Sequence, residues 1–418
     1  MASVRRTYHD PLHGAIALDG TDPVEALLIG LIDTPAFQRL RRIRQLGPAS
    51  LTFHGAESSR FTHSLGVMAI ARRAFDRIAK RYPQLIPHRA TVLCAALLHD
   101  IGHGPFSHTC EEIFGCHHEH WTLRILQESD PVRKLLDGFD RELLPDIAAV
   151  LQKRHPIPLV WQLVSSQLDC DRLDYLMRDS YFTGASYGKL DLDRILMAMN
   201  YDPDSQQLVV ARKGMTAIEH YLIVRYFMYA QVYNHPKNIA ATWILEHIFK
   251  RAKELIQANN LEADEIVTAW LQENCNDFSL QQYLEADDGV FMYHLHRWKH
   301  HSDLTLSDLC RRFLDRDLFK AIDISALTDR QQQELLQQVR SELMQLNFPS
   351  ENYAGIRVAV GRGYTLYQRG IKLQTENGLL EISEQSPLVK TLANTWQQSW
   401  LIYPRDVAAP ALLKQFNS

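Results

Sequence analysis

Apolar residues recur at helical spacing along most of the chain. Val160, Leu163, Val164, Gln167, Leu168 and Asp171, for example, share one face of a 3.6-residue period. This periodicity predicts helices over 22–32, 62–81, 88–101, 107–115, 118–128, 142–151 and 158–179. Long helices follow over 214–258, with shorter ones at 261–274, 279–286, 289–300, 305–315 and 329–346. Asp33-Thr34 before Pro35 is a helix start that the pattern carries to about Gln45. Asp10-Pro11 and His13-Gly14 mark turns in a hairpin-like entry over 1–20. Residues 47–60 read as a polar loop, and 184–213 as turn-rich with a short hairpin around Asp202–Ser205.

The texture changes near residue 348. IRVAVG, TLYQRG, IKLQTENGLLEIS and SWLIYP carry β-branched and aromatic runs with glycine-bearing turns, which predicts two or three strands and a helix at about 386–398. The expected fold is mainly α. It has an N-terminal segment (1–55), a helical body (56–300) and a smaller α+β C-terminal lobe (301–418) packed on the body.

Composition narrows the class. Of 418 residues, 46% are hydrophobic and 22% charged, the usage of an ordinary globular protein and not of a disordered, collagen-like or coiled-coil chain. A formal net charge of −4 argues against coating nucleic acid through bulk charge, although one basic cleft is compatible with it. The start MASVRRTYHDPLHG has no apolar signal region, and runs such as TVLCAALL are far too short to span a bilayer. The expectation is a cytoplasmic protein with no membrane attachment. The six cysteines form no CxxC pair and read as thiols of a reducing compartment with no disulfide framework.

The 19 histidines are the unusual number. HDIGHGPFSH, at the end of an apolar helix, packs three imidazoles and a carboxylate into ten residues, where a core helix tolerates almost none uncompensated. His99 and Asp100 at a helix end can both bend onto one ion. Adding His63 at another helix start and Asp171 downstream makes a set of two imidazoles and two carboxylates. Such a set suits Mn, Fe, Zn or Ni better than Ca and leaves open positions for water and a phosphate oxygen. His117-His118-Glu119-His120 reads either as a separate metal tract or as a polar helix start. The basic run Arg39, Arg41, Arg42 and Arg44 reads as a solvated face or as a single-stranded nucleic-acid track, the latter with little aromatic interleaving.

The strings FQRLRRIRQLG, SRFTHSLGV, LLHDIGHGPFSH and DRLDYLMRD resemble the HD phosphohydrolase superfamily. The resembling branch contains the SAM-and-HD-domain dNTP triphosphohydrolases and their bacterial relatives. The likeness is strong over about 6–240, and ENGLLEISEQSPLV resembles the tail of the bacterial members, with no room for a separate SAM domain. The resemblance implies that 56–300 is a helical HD catalytic body whose single divalent metal is held by His63, His99, Asp100 and Asp171. It places His103, His108 and His118 around the α-phosphate with Glu119 beside them, His108 giving a proton to the leaving 5′-oxygen. The carboxylate orienting His108 is Glu111, where the family has Asp.

The resemblance further implies that Arg60, Arg172 and Arg225 grip the triphosphate, with Mg on the substrate, and that Gln45, Leu46, Asp179 and Tyr233 read the sugar beside Tyr175. Tyr233 reads equally as part of an aromatic helix stripe with Tyr226, Phe227 and Tyr229. Arg6, Asp33, Gln38 and Arg41 match an activating guanine-nucleotide site between subunits, which makes a GTP or dNTP activator and a dimer or tetramer the expected partners. The implied activity is hydrolysis of a dNTP to deoxynucleoside and triphosphate. The alternative is an HD phosphodiesterase or exonuclease acting on single-stranded nucleic acid or a signalling nucleotide.

Overall fold

The computed structural model describes residues 5–366 and 370–413. The chain opens on an antiparallel hairpin of β1 (Arg5–Asp10) and β2 (Gly14–Asp19). Its turn is closed by Asp10, whose Oδ1 accepts from the backbone N–H of Leu12 and of His13 at 2.9 Å each. The helices that follow are α1 (Pro23–Ile32), α2 (Pro35–Gln38), α3 (Arg60–Arg81), α4 (Arg89–Leu98), α5 (His108–Phe114) and α6 (His118–Glu128). Next come α7 (Asp130–Phe139), α8 (Leu143–Leu151), α9 (Pro158–Gln162), α10 (Cys170–Thr183) and α11 (Leu192–Ala198). The mainly α expectation holds. No described helix is long and apolar enough to cross a membrane.

Two predicted helices are cut short, each for a local reason. The helix expected to reach Gln45 ends at Gln38, tightens into a 3₁₀ turn over Arg39–Arg42 and then runs extended, with Arg44 bridged to Ser59. Gly47, at φ +50°, then brings the backbone so close to Phe106 that a Cβ would lie 2.6 Å from its carbonyl oxygen. The expected 158–179 helix is two, α9 and α10, because Asp169 turns the chain by accepting from Ser166 N (2.6 Å) and Arg172 N (2.7 Å) as the N-cap of α10. The long helices expected over 214–258 are α12 (Met215–Met228) and α13 (Pro236–Gln257), joined by a π turn over Tyr229–Tyr233. Helix α7 was not expected.

A short hairpin, β3 (Met199–Asp202) and β4 (Gln207–Ala211), falls where the turn signals put it. The C-terminal part adds α14 (Glu265–Gln272), α15 (Leu280–Glu285), α16 (Asp288–Trp298), α17 (Leu304–Leu314) and α18 (Asp329–Gln345). Its strands are β5 (Lys320–Asp323), β6 (Gly355–Arg362), β7 (Lys372–Thr375), β8 (Gly378–Glu381) and β9 (Thr395–Tyr403). The helix expected over 386–398 stops at Leu392, because residues 395–403 pair with both β5 and β6. Of TLYQRG, residues 365–366 form no strand and 367–369 lie outside the described residues. The lobe is stitched to the body by a parallel pair, Val210 opposite Leu373.

Two apolar cores result. One joins β2, α1, α3, α4, α8 to α10 and α12; the other surrounds α13 with α14, α16 to α18 and β9. The expectation of no disulfide is overturned at one pair: Cys116 and Cys275 are bonded across 159 residues, a separation that hides the pairing from any spacing rule. The other four cysteines are free and buried.

Candidate active site

The ends of α3, α4 and α10 converge. His63 lies in the first turn of α3, His99 caps α4 with Asp100 next to it, and Asp171 is in the first turn of α10. The His63 Nε2 atom is 3.2 Å from Asp171 Oδ1 and 3.5 Å from Asp100 Oδ2. The His99 Nε2 atom is 3.4 Å from Asp100 Oδ1 and 3.7 Å from Asp171 Oδ1. Both Nε2 atoms are buried with no hydrogen-bond partner.

The rings are fixed from behind. The His63 Nδ1–H donates to Asp174 Oδ2 at 2.7 Å, and the His99 Nδ1–H to the Ala96 carbonyl at 2.9 Å. Each therefore turns a bare Nε2 lone pair toward two carboxylates, which is the donor chemistry of a divalent transition-metal site with its outer supports in place. Burial works against charge on His63, but the Asp171 and Asp174 carboxylates outweigh it and push its pKa up to about 10. The pocket thus strongly favours a positive charge.

Beside these donors, His103, His108, Glu111 and His118 place their ligand atoms within 4.8 Å of one another. The loop that carries them is forced. Phe106 (φ 61°) and Ser107 (φ 58°) both hold the left-handed conformation that non-glycine residues avoid. Phe106 N donates to Asp288 Oδ1 at 2.7 Å, and Ser107 Oγ donates to the Arg44 carbonyl at 2.6 Å. Glu111 takes both neighbouring imidazoles: Oε2 faces His108 Nδ1 at 3.2 Å, and Oε1 accepts from His118 N at 2.9 Å and contacts His118 Nδ1. Although burial opposes it, the two histidines hold the Glu111 carboxyl well below the usual range. His103 stacks on His118 with ring centroids 4.0 Å apart. Burial first, then Arg60 and His118, keep His103 well below its ordinary pKa, and so neutral.

Residues 60–180 match the HD domain family, and residues 190–404 match the HD associated region. The chain belongs to the HD-domain phosphohydrolase family. It is 37% identical over 415 residues to the uncharacterized protein YwfO of Bacillus subtilis, covering 97% of this chain and 93% of that one. A solved phosphohydrolase of Bacteroides thetaiotaomicron superposes with a TM-score of 0.85 at 29% identity, covering 96% of this chain and 100% of that one. The human deoxynucleoside triphosphate triphosphohydrolase SAMHD1 is 25% identical over 358 residues, 76% of this chain and 55% of that protein.

In this HD protein the donors open into a cavity of about 980 Å³. Its wall includes Gln45, Leu46, Arg60, Glu119, Arg172, Tyr175, Asp179 and Tyr233 along with His99, Asp100, His103, His108, His118 and Asp171. Tyr233 O–H donates to Asp179 Oδ2 at 2.8 Å, while Asp179 Oδ1 and Gln45 Oε1 are buried acceptors with no partner. Arg172 gives Nη1 to Asp169 at 2.5 Å and keeps an unpartnered buried Nε.

Of the three predicted phosphate arginines, Arg60 and Arg172 stand in the cavity wall and Arg225 does not. Arg60 is committed to the protein, donating to Asp100 (2.6 Å), Ser107 (2.9 Å) and the Gln45 carbonyl (3.3 Å). Arg225 does not line the cavity; it donates to Gln167 Oε1 at 3.0 Å and lies under Tyr229. Away from the cavity, Arg6 pairs with Asp33 at 2.8 Å, and Arg41 donates to Gln38 Oε1 at 2.8 Å.

Three features were not singled out from the sequence. Asp174 supports His63. Arg39, read with its neighbours as part of a basic run, is fully buried and donates to the carbonyls of His103 (2.8 Å) and Ala286 (3.0 Å), bracing the histidine loop. A second cavity of about 270 Å³ is lined by His235, Lys237, Arg316, Lys320 and Arg405. Burial, then Arg316, Lys320 and Arg405, lower the pKa of Lys237. Among the described residues no ion pair neutralises these cations.

Proposed function

We propose that this HD protein is a metal-dependent dNTP triphosphohydrolase, in which water and a dNTP give a deoxynucleoside and inorganic triphosphate. The observation that carries the reading is a single cavity. It combines three of the four metal donors, His99, Asp100 and Asp171, and the His103–His108–His118 group with Arg172 and two buried acceptors, Gln45 Oε1 and Asp179 Oδ1, that lack a donor. A sugar hydroxyl supplies such a donor, and an arginine fork suits phosphate oxygens.

His63, His99, Asp100 and Asp171 would hold one divalent ion of the Mn, Fe, Zn or Ni class. When bound, that ion polarises a phosphoryl oxygen and makes water nucleophilic near neutral pH. The chain's own groups do the rest. Glu111 holds His108 by Nδ1, which leaves Nε2 to give a proton to the leaving 5′-oxygen. His103 and His118 stand beside the α-phosphate with Glu119. Arg172 steadies the triphosphate and its Mg, while Arg60, on the same wall, aligns Asp100. Leu46, Tyr175 and Tyr233 wall the sugar against a 2′-hydroxyl.

The reading extends to regulation. The Arg6–Asp33 and Gln38–Arg41 pairs and the cationic second cavity offer donors and charge for a GTP or dNTP activator on a dimer or tetramer. The deciding assay incubates the Mn-loaded protein with each dNTP, each NTP and single-stranded DNA, with and without GTP. Deoxynucleoside plus triphosphate from dNTPs alone is the expected result. Release of mononucleotides from DNA, or of pyrophosphate from dNTPs, overturns it in favour of a phosphodiesterase or exonuclease.

A further inference from the structure

We propose that the Asp10–Gly14 turn of the N-terminal hairpin is a positioning element for the metal ligand His63, acting through Asp174. The inference rests on the metal reading of the site and not on the identity of the substrate.

Asp174 is completely buried, and its two oxygens take four N–H donors. His63 Nδ1 lies 2.7 Å from Oδ2 and His13 Nε2 lies 2.5 Å from Oδ1. Arg178, one turn along α10, spans both oxygens at 2.7 and 3.0 Å. Arg178 also gives Nη1 to Asp10 Oδ2 at 2.8 Å, and Asp10 Oδ1 in turn closes the turn that presents His13. The chain of contacts thus returns on itself: Asp10, Arg178, Asp174, His13 and back through the turn, with His63 hanging from the one carboxylate at its centre.

Arg178 already gives each Asp174 oxygen an N–H donor, so satisfying the carboxylate does not explain why a histidine 161 residues distant reaches it as well. What His13 adds is direction. With His13 on Oδ1 and His63 on Oδ2, the carboxylate plane cannot rotate toward Arg178 without breaking a buried hydrogen bond. The His63 ring then stays oriented with Nε2 facing Asp100 and Asp171. Outer partners of this kind typically change metal affinity about 10- to 100-fold.

The test uses the full chain and measures Mn²⁺ affinity by calorimetry and the visible spectrum of the Co²⁺-loaded protein. The variants are His13→Ala, His13→Gln, His13→Asn and, as a control, His99→Ala. His13→Ala is expected to weaken Mn²⁺ binding about 10- to 100-fold and to shift the Co²⁺ bands. His13→Gln, whose amide nitrogen reaches about as far as Nε2, recovers most of both, and the shorter His13→Asn does not. A folded His13→Ala with wild-type affinity and spectrum, while His99→Ala binds no Mn²⁺, overturns the proposal and leaves the metal site standing. If His13→Ala does not fold, equal affinities for the Gln and Asn variants overturn it. Wild-type binding by His99→Ala overturns the metal reading and this proposal together.

Discussion

Asp179 has one oxygen engaged by Tyr233 and one buried without a partner. Burial pushes its carboxyl up to about 7 from 3.8, although the Tyr233 hydroxyl works the other way. A group that holds its proton more tightly when folded contributes stability that is full below the unfolded pKa and lost as pH rises through the folded one. Asp179→Asn should therefore be more stable than wild type at pH 8, by on the order of 2–4 kcal/mol, and the gap should close toward pH 5. Urea midpoints at the two pH values check it. On the proposed reading activity should fall in the same variant, since the bare oxygen is the one that would accept from the sugar hydroxyl. His108 makes the complementary case. Its side chain is 64% exposed, so His108→Gln should leave the urea midpoint within about 0.5 kcal/mol while kcat falls about 10²- to 10⁴-fold. At this scale the metal donors were legible because HDIGHGPFSH is too polar for the helix it ends. Asp174 and Arg39 were not, because one acid among three in DRLDYLMRD or one arginine among four has no local signature of the partner it meets.

The approach of α3 to α10 is set by one atom that is missing. A Cβ on Gly66 would lie 2.0 Å from Asp174 Oδ1 and 2.5 Å from Arg178 Nη2, both immobilised in the buried network. Gly66→Ala should push the helices apart, cost about 1–3 kcal/mol in the urea midpoint and weaken Mn²⁺ binding with it. This explains the spacing in SRFTHSLGV: His63 and Gly66 are one turn apart on the face that meets α10. Helical periodicity placed α1, α3, α4, α6 and α8 within a few residues. It failed where a distant group decides the local conformation. Residues 43–47 leave the helix to meet Ser59 and Phe106, Asp169 breaks an apolar face that otherwise runs on, and β9 exists because β5 and β6 flank it.

For the whole molecule, the metal is a stability term as well as a reagent. Stripping the protein with a chelator should abolish hydrolysis and lower the melting temperature, and Mn²⁺ at about 100 times its Kd should restore about 2.7 kcal/mol. Scanning calorimetry with and without added metal measures it. The strands β6 to β9 were readable from the change in texture near 348. The stitch between the parts was not, because a parallel pairing of residues 210 and 373 leaves no trace in either strand. The cations of the second cavity, drawn from 235–237, 316–320 and 405, were likewise too scattered to be seen in the chain.

Arg357 on β6 reaches back to Glu112, the residue after the carboxylate that holds His108 and His118. The four candidate metal donors all belong to the first 171 positions, whereas this brace on the helix that carries His108 and Glu111 is made nearly two hundred positions later. A chain cut before β6 would keep every one of those donors and lose the contact that steadies the helix beside them.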